Sequence, residues 1–387
     1  MKIAIVGSGF IGATLPLAQN FHKKGYEADC FYFTVSGNKS VESLDFDRPL
    51  PTKNVVVKIP DNNLVYNYLN KDISVFIMPV LKRHYTLERY GVGKISRIIN
   101  HIRTSYFIRW FLKMRYDRVI LIDHSDETHQ LALALKKQGV KFITSYHEVL
   151  ENLIDGGMRK PVIESLQLGC QVAVHCDDIR DIIIARSGID DIEKRISVMR
   201  VGPFESLWQY GDGKPISGIG KDYLLFIGRI IPYKGLGILY EAVEILKEKY
   251  DLKVVIAGVG NDPVLEKVRN NARYTLINRF IENDEMVWLT KNCRAVVCPY
   301  IAASQSGMIP LSMAFGKPMI ATNVGAFPEV IEEGKNGYMA KAGDCNDFAR
   351  AIETCIVNEK SYPAGYVPEI LNWDFITQQY IKLLSSL

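Results

Sequence analysis

Short apolar runs alternate along the chain with stretches in which apolar residues recur every three or four positions. The runs are Ile3–Val6, Cys30–Phe33, Val75–Met78, Val119–Ile122, Lys141–Ser145, Gln171–Val174 and Ile196–Val201. Such alternation predicts a parallel sheet of βα type. A polar, glycine-rich segment, Gln209-Tyr210-Gly211-Asp212-Gly213-Lys214-Pro215 on to Gly220, then breaks the rhythm and predicts a linker. The alternation restarts with Tyr223–Ile227, Lys253–Ala257, Tyr274–Ile277, Ala295–Cys298 and Met319–Ala321. The final stretch, Phe375, Ile376, Tyr380, Ile381 and Leu384, has helical spacing, with Asn372 or Asp374 as its N-cap. At 387 residues the chain exceeds one core of common size. The expected division is a domain at 1–205, a linker at 206–222, a second domain at 223–371 and a closing helix at 372–387. The two halves share a rhythm but no repeat of fixed period.

Composition adds exclusions. A hydrophobic content of 48% with 23% charged residues is ordinary for a soluble globular protein. The seven cysteines form no C-x-x-C pair, so reduced thiols in the cytosol are expected rather than a disulfide framework. Lys2-Ile3-Ala4-Ile5-Val6 enters the fold directly, without the regions of a signal peptide. No apolar run approaches the roughly 20 residues of a membrane span. The expected location is cytoplasmic.

Charge is unevenly placed. Residues 1–200 hold 28 Lys and Arg against 22 Asp and Glu, and the rest hold 19 against 21. The basic half is therefore expected to face an anionic partner. Within it, 94–118 carries seven Lys and Arg and one acid, interleaved with Ile, Phe, Trp and Leu. Two readings stand: an interfacial helix on anionic lipid, which puts the protein peripherally on the inner face of the plasma membrane, or a surface helix packing inward by its apolar side. The chain holds no recognition module for nucleic acid, so none is expected as a partner.

Candidate chemistry starts at Leu224-Leu225-Phe226-Ile227-Gly228-Arg229, followed by Lys234-Gly235 and a helical pattern. Two cations and a helix N-terminus then stand at the carboxyl end of a strand, where open α/β sheets bind ligands, and such a site suits a diphosphate. Arg offers a planar fork of donors for phosphate oxygens, and Lys a point charge. The plainer alternative is a solvated pair on a loop. Ser304-Gln305-Ser306-Gly307-Met308-Ile309-Pro310 follows the strand ending at Cys298 and predicts a second anion site built of backbone N–H groups, or else an ordinary capped helix. Thr322–Ala326 is a further small-residue turn placed to line the same crevice.

Gly7-Ser8-Gly9-Phe10-Ile11-Gly12 is a literal G-x-G-x-x-G. A dinucleotide site needs an acid at the end of the second strand, and Tyr32 occupies that place. The glycines are better read as letting backbone approach a phosphate or sugar. His147, at the end of a strand, either bonds a hydroxyl or a developing charge in a cleft, or is structural. In Asp123-His124-Ser125-Asp126-Glu127-Thr128-His129 the histidine spacing suits no usual zinc pattern, and a cleft-facing loop is expected. Asp45-Phe46-Asp47 matches the D-x-D by which some sugar transferases hold a metal-bound nucleotide, but turn carboxylates are common. No metal and no cofactor is expected.

Together these residues resemble the retaining, nucleotide-sugar-dependent glycosyltransferases of family four, over nearly the whole chain. The resemblance implies an α/β GT-B fold, with two Rossmann-like domains facing a central cleft: 1–205 on the acceptor side, 223–371 on the donor side, and 372–387 crossing back. Leu225–Arg229 with Lys234-Gly235 is similar to the family's donor-phosphate motif, and Val254–Gly260 to its next strand and turn. Arg279-Phe280-Ile281 matches the nucleobase contact, and Gly9 and His147 match its glycine loop and cleft histidine. Gly316–Thr322, Pro328–Ile331 and Trp373 also fit. The family's two glutamates align here with Ser304 and Ser312, which leaves donor identity open.

What the resemblance implies is transfer of a sugar from a nucleoside diphosphate sugar to a saccharide or lipid-linked acceptor, as in bacterial cell-surface polysaccharide synthesis. The implied catalytic set is Arg229, Lys234 and His147. The implied donor contacts are Gly9, Phe280, Ile281, Ser304, Ser306, Gly307, Met308, Ile309 and Ser312. A catalytically silent nucleotide-sugar-binding subunit, and another nucleotide-sugar enzyme on the same scaffold, remain as alternatives.

Overall fold

A computed structural model describes residues 1–35, 55–81, 92–122, 125–147, 149–150, 156–358 and 365–387, and within these the side chains of all but 35, 92–95 and 161. The D-x-D at Asp45–Asp47, Asp123, His124 and Glu148 lie outside the described residues. The chain forms two compact units. One comprises Met1–Asn152, Gly156–Met199 and Trp373–Leu387, and the other contains Arg200–Asn372.

The first unit is built on strands β1 (Lys2–Gly7), β2 (Glu27–Val35), β3 (Val57–Lys58), β4 (Val75–Val80), β5 (Arg118–Ile122), β6 (Lys141–Tyr146), β7 (Gln171–Val174) and β8 (Ile196–Val198). Their order in the sheet is β3-β4-β2-β1-β5-β6-β7-β8, and only the short β3 runs antiparallel to its neighbour. The core strands are apolar because helices cover both faces. The 22-residue helix Val92–Lys113 shows how one face is covered: Phe107 and Phe111 pack edge-on to Phe31 of β2, within a cluster that also holds Phe33, Phe76 and Tyr116.

The second unit has β9 (Leu224–Ile227), β10 (Val254–Gly258), β11 (Tyr274–Asn278), β12 (Ala295–Cys298), β13 (Met319–Thr322) and β14 (Gly337–Ala340). The order is β11-β10-β9-β12-β13-β14, with every pair parallel. Both units are Rossmann-like. Each sheet reverses its direction of growth once, between β1 and β5 in the first and between β9 and β12 in the second. Loops leaving adjacent strands diverge at such a reversal and open a crevice at the carboxyl ends.

Three local expectations change. The chain passes between units at Met199–Arg200, a few residues before the expected boundary. The segment expected as a linker, 206–222, instead lies on the second unit: the Trp208 indole donates to the Ala314 carbonyl at 2.8 Å, and Lys214 N–H donates to Asp284 O at 2.9 Å. Gly213, at φ 73°, is there because the backbone runs against the helix Asn283–Asn292, where a Cβ would collide with Asp284 O and Trp288 N. Glycines that read as linker serve close contact. The third change is at Ser125, which is no loop residue but the N-cap of the helix Asp126–Lys137, in a reciprocal capping box with Thr128.

The turn after β9 is held tightly against the end of β12. Gly235 has φ 69°, and a Cβ on it would strike the Pro299 carbonyl oxygen. Ile301 N–H donates to Tyr233 O at 2.8 Å across the same gap. Gly235→Ala is expected to destabilise the fold by about 1–3 kcal/mol, the usual cost of forced overpacking. Urea denaturation measures it, and an unchanged midpoint would show that the approach is not required.

Candidate functional site

Five of the expected segments meet at one edge of the second unit, the carboxyl ends of its strands. Ile230 N–H donates to Val259 O at 2.9 Å, joining the loops after β9 and β10. Gly260 and Asn278 exchange two bonds, N–H to Oδ1 at 3.2 Å and Nδ2 to O at 3.0 Å, joining the loops after β10 and β11. Tyr233–Ile301 joins the loops after β9 and β12, and Ala326 N–H to Ser304 O at 2.9 Å ties in the turn after β13. This network carries Arg229, Lys234, Phe280, Ile281 and Ser304–Ile309 on neighbouring loops.

Arg229 is exposed and Lys234 half-buried. The Lys234 ammonium lies 3.6 Å from the centroid of the Tyr300 ring, with the Tyr233 ring 5.6 Å away. Burial pushes the Tyr300 phenol well above its ordinary range, so this phenol stays neutral beside the cation. Among the described residues no group of three or more His, Cys, Asp or Glu is arranged to hold a metal ion.

The anion site expected at Gly307–Ile309 is changed in two ways. The helix Met308–Ala314 has only seven residues, which limits its dipole. Ser306 also turns back on it: Met308 N–H donates to Ser306 Oγ at 3.3 Å and Ile309 N–H to Ser306 O at 3.1 Å. Two of the amides expected to meet an anion are thus engaged by the serine. Ser312 is fully buried, and its hydroxyl donates to the Lys317 carbonyl. A residue read as lining a ligand crevice instead ties off the end of its own helix.

At Phe280, Arg279 forms a fork with Glu285, Nη1 to Oε2 at 2.6 Å and Nη2 to Oε1 at 2.8 Å, and also donates to Phe280 O at 2.9 Å. Glu285 in turn accepts from Glu282 N–H. The pair therefore fixes the Phe280–Ile281 turn.

In the first unit, Gly9 sits in the turn after β1 and His147 just past β6. His147 is 3% exposed, with the Phe10 ring stacked on it at 3.2 Å and the His175 ring 4.1 Å away. Phe10 reaches it from a left-handed backbone, φ 57°. Tyr32, which pairs with Gly7 in the sheet, closes a bond to Thr14 Oγ1 at 2.6 Å and is 2% exposed. The place of a dinucleotide-binding acid is filled by a structural phenol.

Sequence reading missed Tyr300, and also Val259 and Ile301, which are 53% and 50% exposed on the loops flanking β9. Large apolar residues so exposed beside two cations are the available signal, and it needs the register to be seen. A cavity of about 790 Å³ lined by Trp208, Met313 and Lys317 lies toward the amino-terminal edge of the same sheet, away from these loops.

Residues 221–358 match the model of the family Glycosyl transferases group 1. That stretch contains Arg229, Lys234, Phe280, Ile281 and Ser304–Ser312. An uncharacterized glycosyltransferase of Methanocaldococcus jannaschii is 30% identical over 159 residues, 37% of this chain and 43% of that protein. The phosphatidyl-myo-inositol mannosyltransferase of Mycobacterium leprae is 26% identical over 180 residues, 43% of this chain and 47% of that protein. The chain thus spans less than half the length of these curated relatives. An Anabaena protein solved in complex with UDP-glucose superposes with a TM-score of 0.62 at 14% identity, covering 100% of both chains. The fold is that of GT-B glycosyltransferases.

The Arg279 fork holds the Glu285 carboxyl below the usual carboxylate range. A depressed carboxylate contributes stability that is complete above its unfolded value, about 4.3, and is lost as pH falls through the folded one. Acidification below about pH 4.5 is therefore expected to destabilise the wild type more steeply than Glu285→Gln. Parallel slopes of urea midpoint against pH would refute this.

Proposed function

We propose that the protein is a retaining glycosyltransferase that takes a nucleoside diphosphate sugar as donor and a saccharide or lipid-linked saccharide as acceptor, in the synthesis of a cell-surface polysaccharide or glycolipid. The observation that carries this reading is the pair Arg229 and Lys234 on the loop at the reversal of the second sheet, against the loop that leaves β12. The match to Glycosyl transferases group 1 over the same residues supports it. So do the mannosyltransferase among its relatives and the UDP-glucose held by a protein of the same fold.

In this reading the anomeric C–O bond breaks and its electron pair leaves with the diphosphate. Arg229 and Lys234 oppose the charge that grows there. The acceptor hydroxyl attacks the same face, and its proton passes to the departing phosphate oxygen, so neither a carboxylate base nor a metal ion is called for. Gly9 gives the backbone room for the sugar. Phe280 and Ile281 meet the nucleobase through their main chain, while Ser304, Ser306 and Gly307 line the diphosphate side. Met308, Ile309 and Ser312 act through the helix they build. His147 is read as meeting the sugar.

Arg229→Ala and Lys234→Ala are each expected to lower turnover by at least about 100-fold with folding intact, the scale of losing one preorganised donor. Sugar transfer by the purified chain measures this, with EDTA expected to leave the rate unchanged. Wild-type rates from both variants would defeat the reading. A chain that binds sugar nucleotides but forms no product would instead favour the silent subunit.

A second element concerns the basic helix. Phe107 and Phe111 are buried, but Ile98, Ile102 and Tyr106, one turn apart, are 59%, 62% and 57% exposed, and Arg109 and Lys113 continue the same face. The helix has no acidic residue. Apolar side chains beside cations suit an anionic lipid surface, and the protein is read as peripheral on the inner face of the plasma membrane. No helix among the described residues is long and apolar enough to cross a membrane. Flotation with phosphatidylglycerol vesicles, and much less with phosphatidylcholine alone, is expected. Neutralising Arg103, Arg109, Lys113 and Arg115 should abolish it, and unaltered flotation would sink the idea.

A further inference from the structure

Tyr300 is 2% exposed, yet its ring meets a cation of the proposed diphosphate site. Its ring lies under the Lys234 ammonium, 3.6 Å from centroid to nitrogen. The ring cannot drift: Phe327 packs edge-on at 5.4 Å and 71°, and Thr322 Oγ1 donates to the Tyr300 carbonyl. The next residue, Ile301, is tied by its N–H to Tyr233 O at 2.8 Å, in the same turn as Lys234.

Filling this space does not require a tyrosine. A leucine or phenylalanine is as apolar, and a buried phenol has to find partners for its hydroxyl or lose free energy. What tyrosine adds is an electron-rich face toward a cation. Lysine is a flexible point charge, and a flexible cation loses conformational freedom each time it meets an anion. An aromatic face beneath the ammonium takes some of that loss in advance, and its attraction is larger where water is partly excluded.

We propose that Tyr300 is a positioning residue for anion capture: its ring presets the Lys234 ammonium, so that a side chain on the loop after β12 aligns the loop after β9 before the ligand arrives. The inference rests on the reading that Lys234 meets a diphosphate. It adds a residue that touches no ligand and acts through one that does.

Calorimetric titration of the full chain with inorganic pyrophosphate tests it. Tyr300→Leu should weaken binding about 10-fold. Tyr300→Phe, which keeps the ring face, should weaken it only two- to threefold. With Lys234→Met already in place, Tyr300→Leu should cost almost nothing further, because the two act as one unit. Since Tyr300→Leu carries a folding risk, trifluorophenylalanine at position 300 serves beside it. That ring has nearly the shape of phenylalanine but a depleted face, and should bind pyrophosphate several-fold more weakly than Tyr300→Phe at the same melting temperature. Equal affinity of the phenylalanine and trifluorophenylalanine proteins, or multiplicative losses in the double variant, would overturn the proposal while leaving the diphosphate reading intact. A wild type that binds no pyrophosphate would overturn both.

Discussion

Everything assigned to the second unit depends on how closely the turn after β9 can lie against the end of β12. The two strands are parallel neighbours at the one place where the sheet reverses, so their following loops leave in opposite directions. Loops that diverge do not ordinarily touch. Here they are brought back into contact by Gly235 on Pro299, by Ile301 N–H on Tyr233 O, and by Lys234 on Tyr300. Without a Cβ at 235 the backbone closes to a distance no other residue allows. That closure puts an ammonium over an aromatic face, and a cation is thereby fixed at a carboxyl edge. The chemistry proposed for the protein follows from that piece of backbone sterics.

Much of this was legible before any coordinates. Strands of four or five buried residues bounded by helical spacing can be recognised because both faces are apolar, and β9, β10, β12 and β13 are of that kind. Strands β3 and β14 escaped. One is two residues long, and the other opens on a glycine and lies at an edge, so neither has a pattern to read. The segment 206–222 misled for a different reason. Polar and glycine-rich sequence is common to linkers and to chain laid tightly on a helix, and only the partner, here Asn283–Asn292, tells them apart.

The site divides in the same way. Charged residues on a strand-to-helix loop announce themselves, and Arg229 and Lys234 were found by type and spacing. Tyr300 was not, because an aromatic after a buried strand reads as core until the register puts a lysine above it. His147 was visible as a residue but not in its setting. Its burial between Phe10 and His175 joins turns that are far apart in sequence, and Phe10 adopts a left-handed conformation that nothing in its local sequence demands.

The two serines give the site its particular character. A glutamate at position 312 would place a charge where exposure is zero, at a cost that only a bound hydroxyl or a cation offsets. Serine avoids the cost by donating to Lys317 O, within its own helix end. The helix is then complete without a ligand. Under the proposed function this has a consequence for where donor affinity resides. If position 312 offers the donor no carboxylate, the sugar nucleotide is held chiefly at its diphosphate and at the main chain of Phe280 and Ile281. The nucleobase turn is correspondingly stiff, braced by the Arg279–Glu285 fork, and the diphosphate end is braced through Tyr300. A site that has given up one polar contact compensates by rigidity at the remaining two, since fewer degrees of freedom then have to be lost on binding.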